Sequence, residues 1–135
     1  MSAALALRAA VRERLAADAD LTAALGGAKV FDHVPAGTDA PYIVLSDMQS
    51  RPAGTATEVA EEHRLALDVW SRQEGLAEAL TAAARVAASL DDAGLSLAGH
   101  RLANLRWVST DARRSGNGRL RSATLRFRAL TEPEI

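Results

Sequence analysis

The sequence predicts an α+β domain of two layers: a mainly antiparallel sheet of four to five strands, an N-terminal helix and one long helix packed on one face, and a closing β-hairpin. Three stretches carry that expectation. In residues 62–72, His63, Leu65, Leu67 and Val69 alternate with Arg64, Ala66, Asp68, Trp70 and Arg72, the period of two of a strand packed on one side. In residues 74–90, Leu76, Leu80, Ala83, Val86, Ala87 and Leu90 recur at three- and four-residue steps and form one apolar helical stripe. Between two strand-like runs, 101–110 and 119–130, stands Ser115-Gly-Asn-Gly118, a strong hairpin signal.

The remaining elements follow in chain order. Ser2 can cap a first helix over residues 3–17, whose stripe is Ala4, Leu7, Val11 and Leu15. Asp18-Ala-Asp20 interrupts it. Asp20 is the expected cap of a short turn, 21–25, that ends at Gly26-Gly27, where a left-handed backbone is easily adopted. Those glycines lack the Gly-Lys-Ser/Thr ending of a phosphate loop. Residues 29–34 read as a short strand closed by Pro35-Ala-Gly37, and 39–47 as another that starts after Pro41, where a missing N–H is tolerated. Residues 48–59 are polar, broken by Pro52 and Gly54, and without a period, so a mobile loop is expected there. Asp91 and Asp92 are unfavourable inside the last turn of a helix and are expected just beyond it. Residues 95–98 read as a link to the final strand pair.

The register of that pair follows from its side-chain faces. A two-residue turn at Asn117-Gly118 sets Trp107 across from Arg128, whereas a three-residue loop 116–118 pairs Trp107 with Phe127, Leu105 with Ala129 and Ser109 with Leu125. The second option gathers the apolar residues on one face, with Leu65, Leu67 and Val69 against the helix. It leaves Trp70 and Asp68 on the other face with Arg106, Arg126 and Arg128, where Arg106 faces Arg128 and Val108 faces Arg126. Like charges directly opposite cost some tenths of a kcal/mol up to about 1 kcal/mol. Asp68 and a neighbouring subunit are the expected sources of compensation.

At 135 residues the chain fits one domain, 1–135. A chain of about 150 residues already buries about 68–70 % of its unfolded surface, so no covalent staple is needed. With no cysteine, disulfides, zinc–thiolate sites and thiol catalysis are excluded. Ala, Leu and Arg dominate and Lys29 is the single lysine, a style of GC-rich coding. The net charge is -1, but residues 101–128 hold eight arginines against Asp111 alone. That asymmetry fits an acidic partner, including nucleic acid, or neutralisation within the fold or between identical subunits. The start of the chain has no basic flank followed by a long apolar run, and no stretch approaches the roughly 18 apolar residues of a membrane span.

No reaction is indicated. His33, His63 and His100 lie far apart with no metal-ligand spacing and read as structural. Glu61-Glu62-His63 reads as a solvated strand edge, and no Gly-x-Ser-x-Gly elbow occurs. No catalytic, cofactor or metal residue is assigned. Nucleic-acid binding or a regulatory role through the basic C-terminal hairpin is the alternative reading, since Arg113, Arg114, Arg119 and Arg121 flank its tip. Against it, the scarce aromatics alternate with core positions and build no stacking platform.

Pro41-Tyr-Ile, Gly54-Thr55, Glu62-His63 with Leu65-Ala-Leu-Asp-Val-Trp-Ser-Arg72, and Leu125-Arg-Phe-Arg-Ala-Leu-Thr-Glu132 together resemble the tail-completion, or tail-terminator, family of long-tailed phages and gene transfer agents. The order and spacing of the elements follow that family along nearly the whole chain. The resemblance implies a structural, non-enzymatic virion protein, assembled in the bacterial cytoplasm. It implies a homo-oligomeric ring, typically a hexamer, on the head-proximal end of the tail tube. There the ring would end polymerisation and meet the capsid neck, with DNA free to pass through its lumen without sequence-specific binding. The family supplies no site residues. The residues themselves suggest an interface of Arg51, Asp68, Trp70, Arg106, Arg113, Arg114, Arg119, Arg121, Arg126 and Arg128.

Overall fold

The computed structural model describes residues 1–72, 76–114 and 120–134. The element order is α1 (Ala3–Ala16), α2 (Ala19–Leu25), β1 (Val30–Phe31), β2 (Tyr42–Pro52), β3 (Glu61–Ser71), α3 (Ala77–Leu90), β4 (Ser96–Leu97), β5 (His100–Arg114) and β6 (Arg121–Pro133). The strands form one six-stranded sheet in the order β1-β2-β3-β6-β5-β4, parallel only between β1 and β2. The α+β class and the covering of one face by helices agree with the sequence. The strand count is six because residues 96–97, expected as a link, pair with His100 and Arg101.

The helix ends are set by local chemistry. Ser2 Oγ accepts the Leu5 N–H at 3.2 Å. Asp18, not Asp20, caps α2: its Oδ1 accepts the Leu21 N–H at 3.1 Å, and Asp20 sits in the first turn. Partial burial pushes the Asp18 carboxyl up, but the hydrogen bonds from Leu21 and Arg85 outweigh that and hold it below its usual range. Gly26 closes α2 in the left-handed region at φ 76°. Asp91 is the C-cap of α3 and Asp92 lies beyond it, as the helix dipole requires.

The core lies between the helices and one face of the sheet. Leu7, Val11 and Leu15 of α1 and Leu21 and Leu25 of α2 meet Leu65, Leu67, Val69, Leu105, Leu125 and Phe127. The face of α3 against the sheet is Ala79, Ala82, Ala83, Val86, Ser89 and Leu90, whereas Leu80 is 44 % exposed. The helix therefore docks on its alanines, which permit a close approach, and the expected stripe was rotated toward its larger side chains.

Residues 48–59 are not the expected mobile loop. β2 runs on through Pro52 with a register shift between Leu45 and Asp47, then turns back as a hairpin into β3. The turn is closed by Ala53 N–H to Ala60 O and Thr55 N–H to Glu58 O, each at 2.9 Å. A Cβ on Gly54 would lie 2.1 Å from Glu58 O, so this close approach requires glycine. The segment shows no apolar period because, beyond Met48 at the margin of the core, its side chains are exposed on both faces.

In the closing pair, Trp107 faces Phe127 and Leu105 faces Ala129, as the three-residue loop predicts. A further shift between Trp107 and Ser109 leaves Val108 without a partner and sets Ser109, rather than Val108, across from Arg126. Thr110, not Ser109, then faces Leu125. Toward the tip the pairs are Arg113 with Ser122 and Arg114 with Arg121, the register of the two-residue turn. The turn itself, 115–119, is outside the described residues. Trp107 was expected in the core and is 45 % exposed. The C-terminal end of α3 reaches β5 there, with Asp91 Oδ1 accepting the Trp107 N–H at 2.9 Å, and the indole extends past this cover to donate to Thr110 Oγ1.

Candidate assembly surface

The face of the sheet opposite the helices carries the side chains that alternate with the core residues. The register arranges them in rows across β2, β3, β6 and β5. One row is Arg51, Glu62, Leu130 and Asn104; the next is Gln49, Arg64, Arg128 and Arg106. A third holds Asp47, Ala66, Arg126 and Ser109. Farther along lie Val44, Asp68, Thr124 and Asp111, and then Tyr42, Trp70, Ser122 and Arg113. At about 3.3 Å per residue, Glu62 and Trp70 are roughly 26 Å apart along β3.

Three of the arginines are organised by one carboxylate. Glu62 accepts from Arg128 at 2.7 and 2.9 Å through Oε2, and from Arg51 at 2.8 Å and Arg64 at 3.2 Å through Oε1. The Glu62 side chain is almost covered by these guanidiniums, while the three arginine side chains remain about 60 % exposed. The hydrogen bonds from Arg128 come first in holding the Glu62 carboxyl down at about 2. Desolvation opposes them, and Arg64 and Arg51 add to them. Each guanidinium is thus held in place with N–H groups still directed outward. Arg106, which faces Arg128 as predicted, is held instead by Asp91 Oδ1 at 3.1 Å, and Arg126 lies 3.7 Å from Asp111.

The structure therefore brings together Arg51, Arg106, Arg126 and Arg128 of the predicted set. Asp68 and Trp70 share their face but lie toward its other end. Asp68 does not compensate the arginines: its carboxylate accepts from Thr124 Oγ1 at 2.7 Å. Trp70 is half-buried between Tyr42 and Ser122, not a bare aromatic among charges. Arg113, Arg114 and Arg121 lie at the far end of β5 and β6, and Arg119 is outside the described residues. Glu62 and Arg64 were missed. The signal for Glu62 was its parity: it shares the face of Arg64 within the strand, and a face carrying several arginines needs an acid.

Glu61-Glu62-His63 is not a solvated edge, since Glu62 and His63 are buried. His63 is locked between strands, with Ser50 Oγ 2.6 Å from Nδ1 and Thr131 Oγ1 2.8 Å from Nε2. Burial pushes its pKa down; Glu61 opposes this and His100 adds to it. Among the described residues, no three His, Asp or Glu side chains are placed to hold a metal ion, and no helix is long and apolar enough to cross a membrane.

Comparison with known proteins gives this surface its context. No curated protein sequence matches the chain. Among solved structures, a chain of the virion of a native gene transfer agent particle superposes with a TM-score of 0.89 at 36 % identity, over 98 % of this chain and 99 % of that one. The family model described as tail completion protein gp17 matches residues 9–132. The chain therefore belongs to the tail completion protein gp17 family, structural proteins of the virion tail.

Proposed function

We propose that the protein forms a homo-oligomeric ring, a hexamer, on the head-proximal end of a phage-like tail tube. The ring ends tube polymerisation and joins the tail to the neck protein of the capsid, and DNA crosses its lumen without sequence-specific contacts. The role is structural and non-enzymatic. The observation that carries this reading is the family match along residues 9–132, supported by the end-to-end likeness to a gene transfer agent virion chain.

The surface supports the same reading. A monomer gains little stability from exposed ion pairs, and nothing in the core requires guanidiniums to be held in rows. Arginines fixed in place lose less rotamer freedom on contact, which favours docking against an acidic protein surface. Arg51, Arg106, Arg126 and Arg128, with Arg113, Arg114, Arg119 and Arg121 toward the hairpin, are the residues assigned to contacts with other subunits, the tube or the neck.

The test combines the mass of the purified protein in solution with its effect on isolated tail tubes. A hexameric mass, or hexamers formed on tubes, together with blocked tube growth is expected. A monomer that leaves tubes growing and instead binds DNA in a salt-sensitive manner would replace this reading with the nucleic-acid one.

A further inference from the structure

The sheet has two incompletely used edges. On the outer side of β2, β1 pairs only with Ile43 and Val44, so among the described residues no strand lies on that side of residues 45–52. On the outer side of β5, β4 pairs only with His100 and Arg101, and Asp91 and Asp92 close the edge at Leu105 and Trp107. Residues 108–114 have no strand on that side among the described residues. Val108, at the start of this stretch, is 59 % exposed. Unused edges of this kind are templates for another strand.

We propose that copies of this chain join edge to edge, with residues 108–114 of β5 in one copy pairing antiparallel with residues 45–52 of β2 in the next. The proposal rests on the ring reading and names the joint within it. Strand sense is the first support. From β2 to β3, β6 and β5 each neighbour is antiparallel, so β5 runs opposite to β2. A copy added in the same orientation beyond β5 brings in its own β2 antiparallel, and the alternation continues across the joint. Such a contact joins two different patches, as a closed ring requires.

Face limits the joint to every second register, and the Arg113–Asp47 pair selects the one proposed. Aligning Arg113 with Asp47 sets Asp111 across from Gln49 and Ser109 across from Arg51, all on the open face. On the covered face it sets Ala112 across from Met48, two side chains already half-buried at the margin of the core. Val108 then meets Pro52. A slip by one residue would turn every pair to the wrong face. Asp47 also borders a depression of about 270 Å³ lined by Arg8, Asp32, Leu45, Ser46 and Met48; Asp32 is paired there with Arg8, which leaves the Asp47 carboxylate to meet Arg113 of the neighbouring β5.

The test is a charge swap on the full chain, with assembly followed by native mass measurement over a range of protein concentrations. Asp47→Arg and Arg113→Asp each place like charges across the joint and should raise the concentration for half-assembly at least about tenfold, and the double variant should restore most of it. Both residues are exposed, so thermal unfolding of the singles should match the parent. Because the chain has no cysteine, a variant carrying Asp47→Cys and Arg113→Cys reports the register directly. Opposed Cβ atoms lie about 4.5–5.5 Å apart in such a pair, near disulfide reach, so oxidation should give a ladder of linked copies. Rings that form normally from the charge variants, and from a cysteine pair that never cross-links, would overturn the joint and leave the ring standing. A parent chain that stays monomeric even on tail tubes would overturn both.

Discussion

On the covered face of the sheet, Leu65, Leu67, Leu125 and Phe127 are shut from solvent, whereas on the open face Arg51, Arg64 and Arg128 extend into solvent around one carboxylate. Strands β3 and β6 supply both sets, one residue apart, and β2 adds Arg51. Burial on the first face is where stability comes from, because apolar area removed from water contributes roughly 25 cal/mol per Å². The second face gains little from the ion pairs of its exposed arginines, and only its covered Glu62 carboxylate contributes through its charge. Its order therefore points to contact with a partner, and removing groups from the two faces should have different consequences.

The largest effect belongs to the covered face. Phe127→Ala empties the site of the bulkiest fully buried side chain and should lower unfolding free energy by about 3–5 kcal/mol, read from urea unfolding. A loss below about 1 kcal/mol would mean that the helices collapse onto the gap and that the core is far less tightly fitted than it looks. Next comes Glu62→Gln, which leaves Arg51, Arg64 and Arg128 around a neutral amide and should destabilise the protein at neutral pH. The folded carboxyl titrates at about 2 against an ordinary value of 4.5, so the contribution of its charge is complete above about pH 4.5 and is lost as pH falls toward 2. The gap between variant and parent should close over that window. If it stays constant, the arginines are not held by the charge.

His63 gives the corresponding acid response on the covered face. Its folded pKa lies below 6.5, so the unfolded chain binds the proton more readily, and stability should begin to fall as pH drops through about 6.5. Titration followed at the imidazole by NMR would show it. A His63 that protonates at or above 6.5 in the folded protein would sink this account.

The two faces also differ in how much of them the sequence disclosed. The alternation in 62–72 assigned each residue of β3 to its face, because a strand buried on one side has a strict period of two. It failed for 49–52, where β2 is exposed on both faces, and for Val108, where one extra residue inverts the pattern beyond it. It also placed Leu80 inside, since size alone does not say which side of an alanine-rich helix can approach a sheet most closely. For the candidate surface, the sequence assigned Arg106, Arg126 and Arg128 to one face, but assigned their compensation to Asp68 and a neighbouring subunit. Only the structure shows that Glu62, which faces Leu130, reaches diagonally to Arg128, while Asp68 faces Thr124 and is bonded by it. Which acid answers which arginine is a matter of cross-strand neighbours, and pairing between distant segments is the information a single sequence holds least.

The smallest stability effect should come from the most loosely paired arginine of the open face. Arg126 lies 3.7 Å from Asp111, and both side chains are more than half exposed, so the pair is weakly held and easily screened. Arg126→Ala should change unfolding free energy by no more than about 0.5 kcal/mol. If the face serves assembly, the same variant should still weaken ring or tail formation, measured as the yield of capped tubes at fixed protein concentration. A loss of stability with normal capping would reverse the comparison, making the open face part of what holds the fold together and leaving the partner to be sought at the sheet edges alone.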